Sequence, residues 1–322
     1  MLRCFWYILE GGIQMAVGTK GDQYTKEIIK RIMDEGCLDK DPRPKYSDGT
    51  PAHTLSVNHG MCTYDLSKGE SPLITLRPVA TKAAISEILW IYQQESNDLV
   101  VFDDLLGKNT WDKDNKVNNW WEEWAIRDKE GNYELNDKGH PTIGACYGET
   151  IKRHNLVKEL LKGLKENPDG RRHIISMWQV EDFKDPHGLK PCAFQTVWNV
   201  RHGKDNKDYL DMCLFQRSSD FLTAGCINQV QYVILQHLIA RHIGMTPGRF
   251  TWFYDNIQIY DRHMEQAKEM LNRECIDCSP KIEINPDKKD FYDIRPEDVK
   301  IVDYPREKIK TKNPQLKFDL GI

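Results

Sequence analysis

Cys192-Ala193-Phe194-Gln195-Thr196-Val197-Trp198-Asn199-Val200 and Tyr209-Leu210-Asp211-Met212-Cys213-Leu214-Phe215-Gln216-Arg217 are two runs that alternate like strands. Between them His202-Gly203-Lys204-Asp205-Asn206-Lys207-Asp208 is polar turn chemistry. The pair reads as an antiparallel hairpin. If Val200 faces Tyr209 and neither strand is bulged, Cys192 stands opposite Arg217. A guanidinium within a few ångströms favours a thiolate. The same spacing also fits a buried, inert Cys beside a surface Arg.

Outward from the hairpin, the pattern becomes helical on both sides. Tyr24 to Met33 places Tyr24, Ile28, Ile29, Ile32 and Met33 on one face and stops at Gly36. Ala83 to Tyr92, Leu156 to Leu164 and Ile227 to Ile243 read as three further helices, the last closed by Gly244. His173 to Trp178 and Phe250 to Tyr254 read as short strands, and residues 109–141 as a surface excursion. Helices and strands in this order predict an α+β fold with a mixed or antiparallel sheet.

With 45 Lys and Arg against 49 Asp and Glu, the chain has a net charge of −4 and no global basic field, so nucleic acid is not an expected partner. No apolar run is long enough to span a membrane. Nine irregularly spaced Cys predict free thiols in a reducing cytoplasm, and Cys275-Ile276-Asp277-Cys278 alone does not make a zinc site. The apolar Cys4 to Leu9 is broken by Glu10, Gly11 and Gly12. Residues 1–18 are expected to be a non-catalytic extension, with Met15 a candidate start, and 19–322 one catalytic domain.

Several residues carry chemistry. Glu87 has Ala83, Trp90 and Ile91 as its helical neighbours, a costly place for a carboxylate outside an active site. Asn228 opens the long helix, either as a cap or as an amide for a ligand's lactam edge. Arg171 and Arg172 follow Gly170, and Arg43 lies in Asp41-Pro42-Arg43-Pro44. They read as a solvated loop pair or as a clamp for a phosphomonoester.

These residues occur in ordered segments: Ser47 to Ser56, Glu87-Ile88-Leu89-Trp90, Trp121-Glu122-Glu123-Trp124, Gly144-Ala145-Cys146-Tyr147-Gly148, Arg171-Arg172-His173, Leu189-Lys190-Pro191-Cys192, Gln216-Arg217-Ser218-Ser219-Asp220 and Asn228. Together they closely resemble the folate-dependent, non-flavin thymidylate synthases, from about Asp22 to Ile322. The resemblance implies a largely antiparallel sheet with helices on one face and a homodimer packed sheet against sheet, Arg171 and Arg172 reaching the neighbouring subunit's site. It implies reductive methylation of dUMP to dTMP by 5,10-methylenetetrahydrofolate, which gives both carbon and hydride, so that no metal, NAD or flavin is needed.

On this chain it implies Cys192 as the nucleophile at uracil C6. Arg217, Ser218, Arg43 and the arginine pair would hold the 5′-phosphate of dUMP, and Gln216 would be a further dUMP-binding residue. Asn228 would read N3–H and O4, Glu87 would order water near O4, and Tyr147 would assist loss of the C5 proton. Gln258 and Tyr260 would meet the ribose. Asp220 would bond the pterin, with Trp121, Trp124, Ala224, Ile227, Leu320 and Gly321 around the folate. Ala193 stands where the family usually has His, Gln258 where it has the His of a His-x-Tyr pair, and Ile227 where it has an aromatic ring. Ile227 and Trp120 beside Trp121 imply a reshaped folate pocket. A dUMP hydroxymethylase and an inactive nucleotide- or RNA-binding relative are the competing readings.

Overall fold

The protein is described from a computed structural model that covers residues 17–108, 111, 115–184 and 189–321. Most of the expected 1–18 extension, part of the 109–141 excursion and Ile322 lie outside the described residues.

Helix α1 (Lys20–Glu35) starts at a reciprocal cap. Thr19 accepts from the Asp22 N–H, and Asp22 accepts from the Thr19 N–H. Its apolar stripe of Ile28, Ile29 and Ile32 is buried, as the spacing predicts. Helix α2 (Thr81–Tyr92) carries Glu87, and α3 (Leu99–Leu106), α4 (Gly148–Arg153) and α5 (Leu156–Glu166) follow. Helix α6 (Cys226–Ile243) is buried on nearly every side and stops at Gly244, whose φ of 75° suits glycine. The buried Gln236 of α6 donates to the carbonyls of Leu210 and Arg249, fastening the helix to two strands. One turn earlier on the same helix Tyr232 meets Tyr92 of α2, hydroxyl to hydroxyl at 3.0 Å.

The main sheet has six strands: β1 (Cys37–Leu38), β2 (Thr54–Asp65), β3 (Ile174–Ser176), β4 (Ala193–His202), β5 (Asp208–Asp220) and β6 (Thr246–Tyr260), in the order β1-β2-β6-β5-β4-β3. Only β5 and β6 run parallel, so the sheet is mixed and largely antiparallel, as expected. Helix α7 (Met264–Asn272) follows β6. A small sheet of β7 (Lys281–Ile284) and β8 (Val299–Val302), then α8 (Arg306–Lys312), lies in a stretch for which the sequence pattern above names no element.

Strand β2 was also invisible to the alternation rule, for a local reason. Its buried residues are Val57, then Cys62 and Tyr64, so the pleat changes phase in between, where His59 has a φ of 55°. Gly60 fits there because a Cβ would lie 2.2 Å from the Tyr254 ring. In β6 the phase changes at Asp255–Asn256, in β5 at Arg217–Ser218, and in β4 at Phe194–Gln195. The changes in β2, β6 and β5 are neighbours in register, and that in β4 lies two residues away, opposite Phe215–Gln216, so one kink runs obliquely across four strands.

Candidate active site

The kink is where the hairpin expectation is corrected. The body of the hairpin pairs Val200 with Leu210 and Thr196 with Leu214, one residue away from the spacing read from the sequence. Phe194 is then an extra residue, after which Ala193 pairs with Gln216. The bulge cancels the offset. Cys192 therefore does lie beside Arg217, whose N–H donates to the Cys192 carbonyl at 2.9 Å.

The Arg217 guanidinium is held by the chain that leads into Cys192, donating to Pro191 O at 3.0 Å and Lys190 O at 2.8 Å. Burial pushes the Cys192 pKa up, and Arg217 and Arg43 pull it down without winning. Arg217 and Arg43 are thus the groups that favour the Cys192 anion, and burial is what opposes them. Arg43 is close enough to act on the thiol, and its loop is pinned to the end of β6 by Arg262. That guanidinium donates to Asp48 at 2.7 Å and Thr50 at 2.8 Å.

Tyr147 reaches the same point from the start of α4. Its hydroxyl accepts from the Cys192 N–H at 3.1 Å. Its backbone has φ 47° and ψ −109°, a conformation an L-residue holds only under constraint, and such strain gathers at functional sites. The ring packs edge-on against Trp121 at 5.2 Å, and Trp121 lies 5.5 Å from Trp124.

Glu87 is 7% exposed, and burial drives its pKa up to about 7. Gln231, Trp121 and Trp120 oppose that shift but do not offset it. Asn228 is held by two other amides: Gln216 Nε2 donates to its Oδ1 at 3.0 Å, and its Nδ2 donates to Gln231 Oε1 at 3.0 Å. Gln231 was not singled out from the sequence. The usable signal was an amide three residues beyond Asn228 in an apolar helix, the argument already applied to Glu87.

Further along β5, Ser218 donates to Gln258 at 3.4 Å. Tyr260 donates to the carbonyl of Gly321, which brings the tail over this end of the sheet; Leu320 beside it is half exposed. Asp220 accepts from Thr223 through Oδ2, while its Oδ1 is buried with no partner. Burial raises its pKa, against His263, Arg77 and the Thr223 donors. A buried acceptor left open suits a ligand N–H such as a pterin ring offers. Ala224, on the turn into α6, and Ile227, in its first turn, are both partly exposed and stand a few residues beyond Asp220.

Arg171 and Arg172 are not brought here. Both are exposed and line a separate cavity with Glu159, Asn167 and Asp169. Ile174 pairs with Val197, which carries the arginines toward the far end of β4, on the order of 20 Å along the strand from Cys192.

The family model for Thymidylate synthase matches residues 22–314. The chain belongs to the thymidylate synthase family. The thymidylate synthase of Lactococcus lactis subsp. cremoris (strain SK11) is 44% identical over 305 residues, which is 94% of this chain and all of that one. The thymidylate synthase of Streptococcus pneumoniae (strain 70585) is 46% identical over 306 residues, with the same coverage. Among solved structures, the thermostable thymidylate synthase A of Bacillus subtilis matches with a TM-score of 0.77 and 33% identity, over 94% of this chain and 99% of that one. The chain is accordingly a methyltransferase of the thymidylate synthase type, with methylenetetrahydrofolate as co-substrate. No helix among the described residues is long and apolar enough to cross a membrane.

Proposed function

We propose that this site methylates dUMP through a bond from Cys192 Sγ to C6 of the uracil. The observation that carries the reading is the junction at Cys192, where Arg217 and Tyr147 hold the backbone on either side of the reactive sulfur. Covalent addition at C6 makes C5 nucleophilic. It also builds negative charge at O4, which a fixed donor from Asn228 stabilises. Glu87, with a pKa of about 7, exchanges protons readily at neutral pH and orders water at that oxygen. Burial holds the Tyr147 phenol far above its ordinary pKa, so it assists C5 deprotonation as a neutral relay. The folate supplies the one-carbon unit and then the hydride. Asp220, Trp121, Trp124, Ala224, Ile227, Leu320 and Gly321 form its side of the site and exclude water from it.

Arg43, Arg217 and Ser218 take the phosphate, Gln258 and Tyr260 the ribose. Arg171 and Arg172 complete the anion site of a second copy of the chain, a role supported by their distance from Cys192. The outer face of the sheet is open and apolar, with Phe215 stacked on Phe253 at 5.0 Å and Met61 60% exposed, which suits sheet-to-sheet pairing. Free cysteines throughout the described residues suit a reducing cytoplasm.

Replacing Cys192→Ala is expected to lower turnover more than about a thousandfold while dUMP still binds. Substantial residual activity would remove Cys192 from the reaction. Dihydrofolate absorbance identifies the product route, because nucleotide product without dihydrofolate would mean a hydroxymethylase. Mixing Cys192→Ala chains with Arg172→Ala chains is expected to restore about a quarter of normal activity, since half the dimers would carry one intact site. Absence of rescue would mean self-contained subunits.

A further inference from the structure

Asn228 distinguishes uracil from cytosine only if its amide points one way, and an amide turned end over end has nearly the same shape. A line of three amides, anchored on an indole, fixes it. Trp252 Nε1–H can only donate, and it meets Gln216 Oε1 at 2.9 Å. Gln216 Nε2 must then face away, donating to the Ser218 carbonyl at 3.1 Å and to Asn228 Oδ1. Asn228 Nδ2 in turn donates to Gln231 Oε1. Gln231 Nε2 ends the line, buried, and as the donor end of the amide it favours the ionised form of Glu87.

We propose that Gln231 is a positioning residue for nucleobase selection: it locks the Asn228 amide in the sense that reads a lactam edge and couples it to Glu87. The proposal rests on the roles assigned above to Asn228 and Glu87. Asn228 uses one lone pair and one hydrogen within the line and keeps one of each for a ligand, matching an N–H beside a C=O. An aminopyrimidine edge needs the opposite sense. Turning Asn228 over would set its oxygen against Gln231 Oε1 and its nitrogen against Gln216 Nε2. Turning all three amides would set Gln216 Nε2 against the Trp252 N–H. Either way two like groups face each other in a buried place.

The test uses full-length enzyme with Gln231→Met, close in size but without polar ends, and Gln231→Glu, which keeps an oxygen for Asn228. For Gln231→Met, the preference for dUMP over dCMP is expected to fall about tenfold or more. The limb of the pH–kcat profile belonging to Glu87 is expected to move up from about 7, because a group favouring its anion is gone. For Gln231→Glu, the preference is retained while the limb moves up further, since two carboxyls then share one pocket. If both variants lose only thermal stability, with selectivity and pH profile unmoved, Gln231 is packing and the proposal is overturned. If Gln231→Met does not fold, an unmoved profile in Gln231→Glu overturns it. Asn228→Asp, run alongside, separates the two failures. Unchanged selectivity there refutes the Asn228 role itself, whereas a change there with none in Gln231→Met refutes only the part given to Gln231.

Discussion

Two buried carboxyls, Asp22 in α1 and Glu87 in α2, sit in opposite circumstances. Asp22 is fully enclosed and accepts from the Thr75 N–H at 2.6 Å, the Thr75 hydroxyl at 2.7 Å and the Thr19 N–H at 3.1 Å. The Thr75 hydroxyl also accepts from the Ile276 N–H, so a third, distant part of the chain is tied in through Thr75. Glu87 is almost as enclosed, yet the groups around it only moderate its cost of ionisation. Burial raises the pKa of both, that of Glu87 to about 7. Enclosure alone therefore does not mark a catalytic acid. The two differ in their donors: those at Asp22 are mostly backbone N–H and hydroxyl, whereas Gln231, Trp121 and Trp120 at Glu87 do not offset its burial.

The comparison breaks most visibly at Glu87→Gln. Its kcat is expected to fall about 100- to 1000-fold, with loss of the inflection near pH 7. Stability should move the other way. The Glu87 pKa rises from 4.5 to about 7 on folding, so the native state holds the proton more tightly. That contribution is present in full below about pH 4.5 and is lost as pH rises through about 7. Beyond it the ionised group costs about 3 kcal/mol. Denaturant titrations should thus show Glu87→Gln more stable than the parent at pH 8 and little changed at pH 5. A variant equally active at pH 8 would place Glu87 with Asp22 as a structural acid.

Asp22→Asn should show the reverse pattern. One amide oxygen cannot serve three donors, and a loss of about 2–3 kcal/mol is expected at unchanged kcat/KM. A change in kcat/KM would tie α1 to the chemistry. Thr19→Ala, which removes the other half of the same cap, should cost about 1 kcal/mol by the same measurement. Because the two residues bond each other, the double variant should lose less than the sum of the single losses.

Much of this was readable from order and spacing. The stripe of Ile28, Ile29 and Ile32, the Gly244 stop and the misplaced carboxyl at Glu87 all report local geometry that survives folding unaltered. Strand β2 did not show itself, because at His59 the pleat changes phase and period-two counting fails across it. The neighbourhood of Cys192 and Arg217 was reached only because the offset in the turn and the bulge at Phe194 cancel. The direction in which the Cys192 pKa moves was not legible: burial raises it, Arg217 and Arg43 lower it, and the balance is a property of the packed chain. The amide line from Trp252 to Gln231 joins strand to strand to helix, and no local pattern announces it.

In a regular strand consecutive side chains leave in opposite directions, so a sheet can offer a small anion only every second residue. Where β5 changes phase, Arg217 and Ser218 both retain a path to solvent. The distortion crowds donors onto one spot of a rigid surface, a concentration that regular backbone forbids and that a loop would supply only with greater freedom to wander.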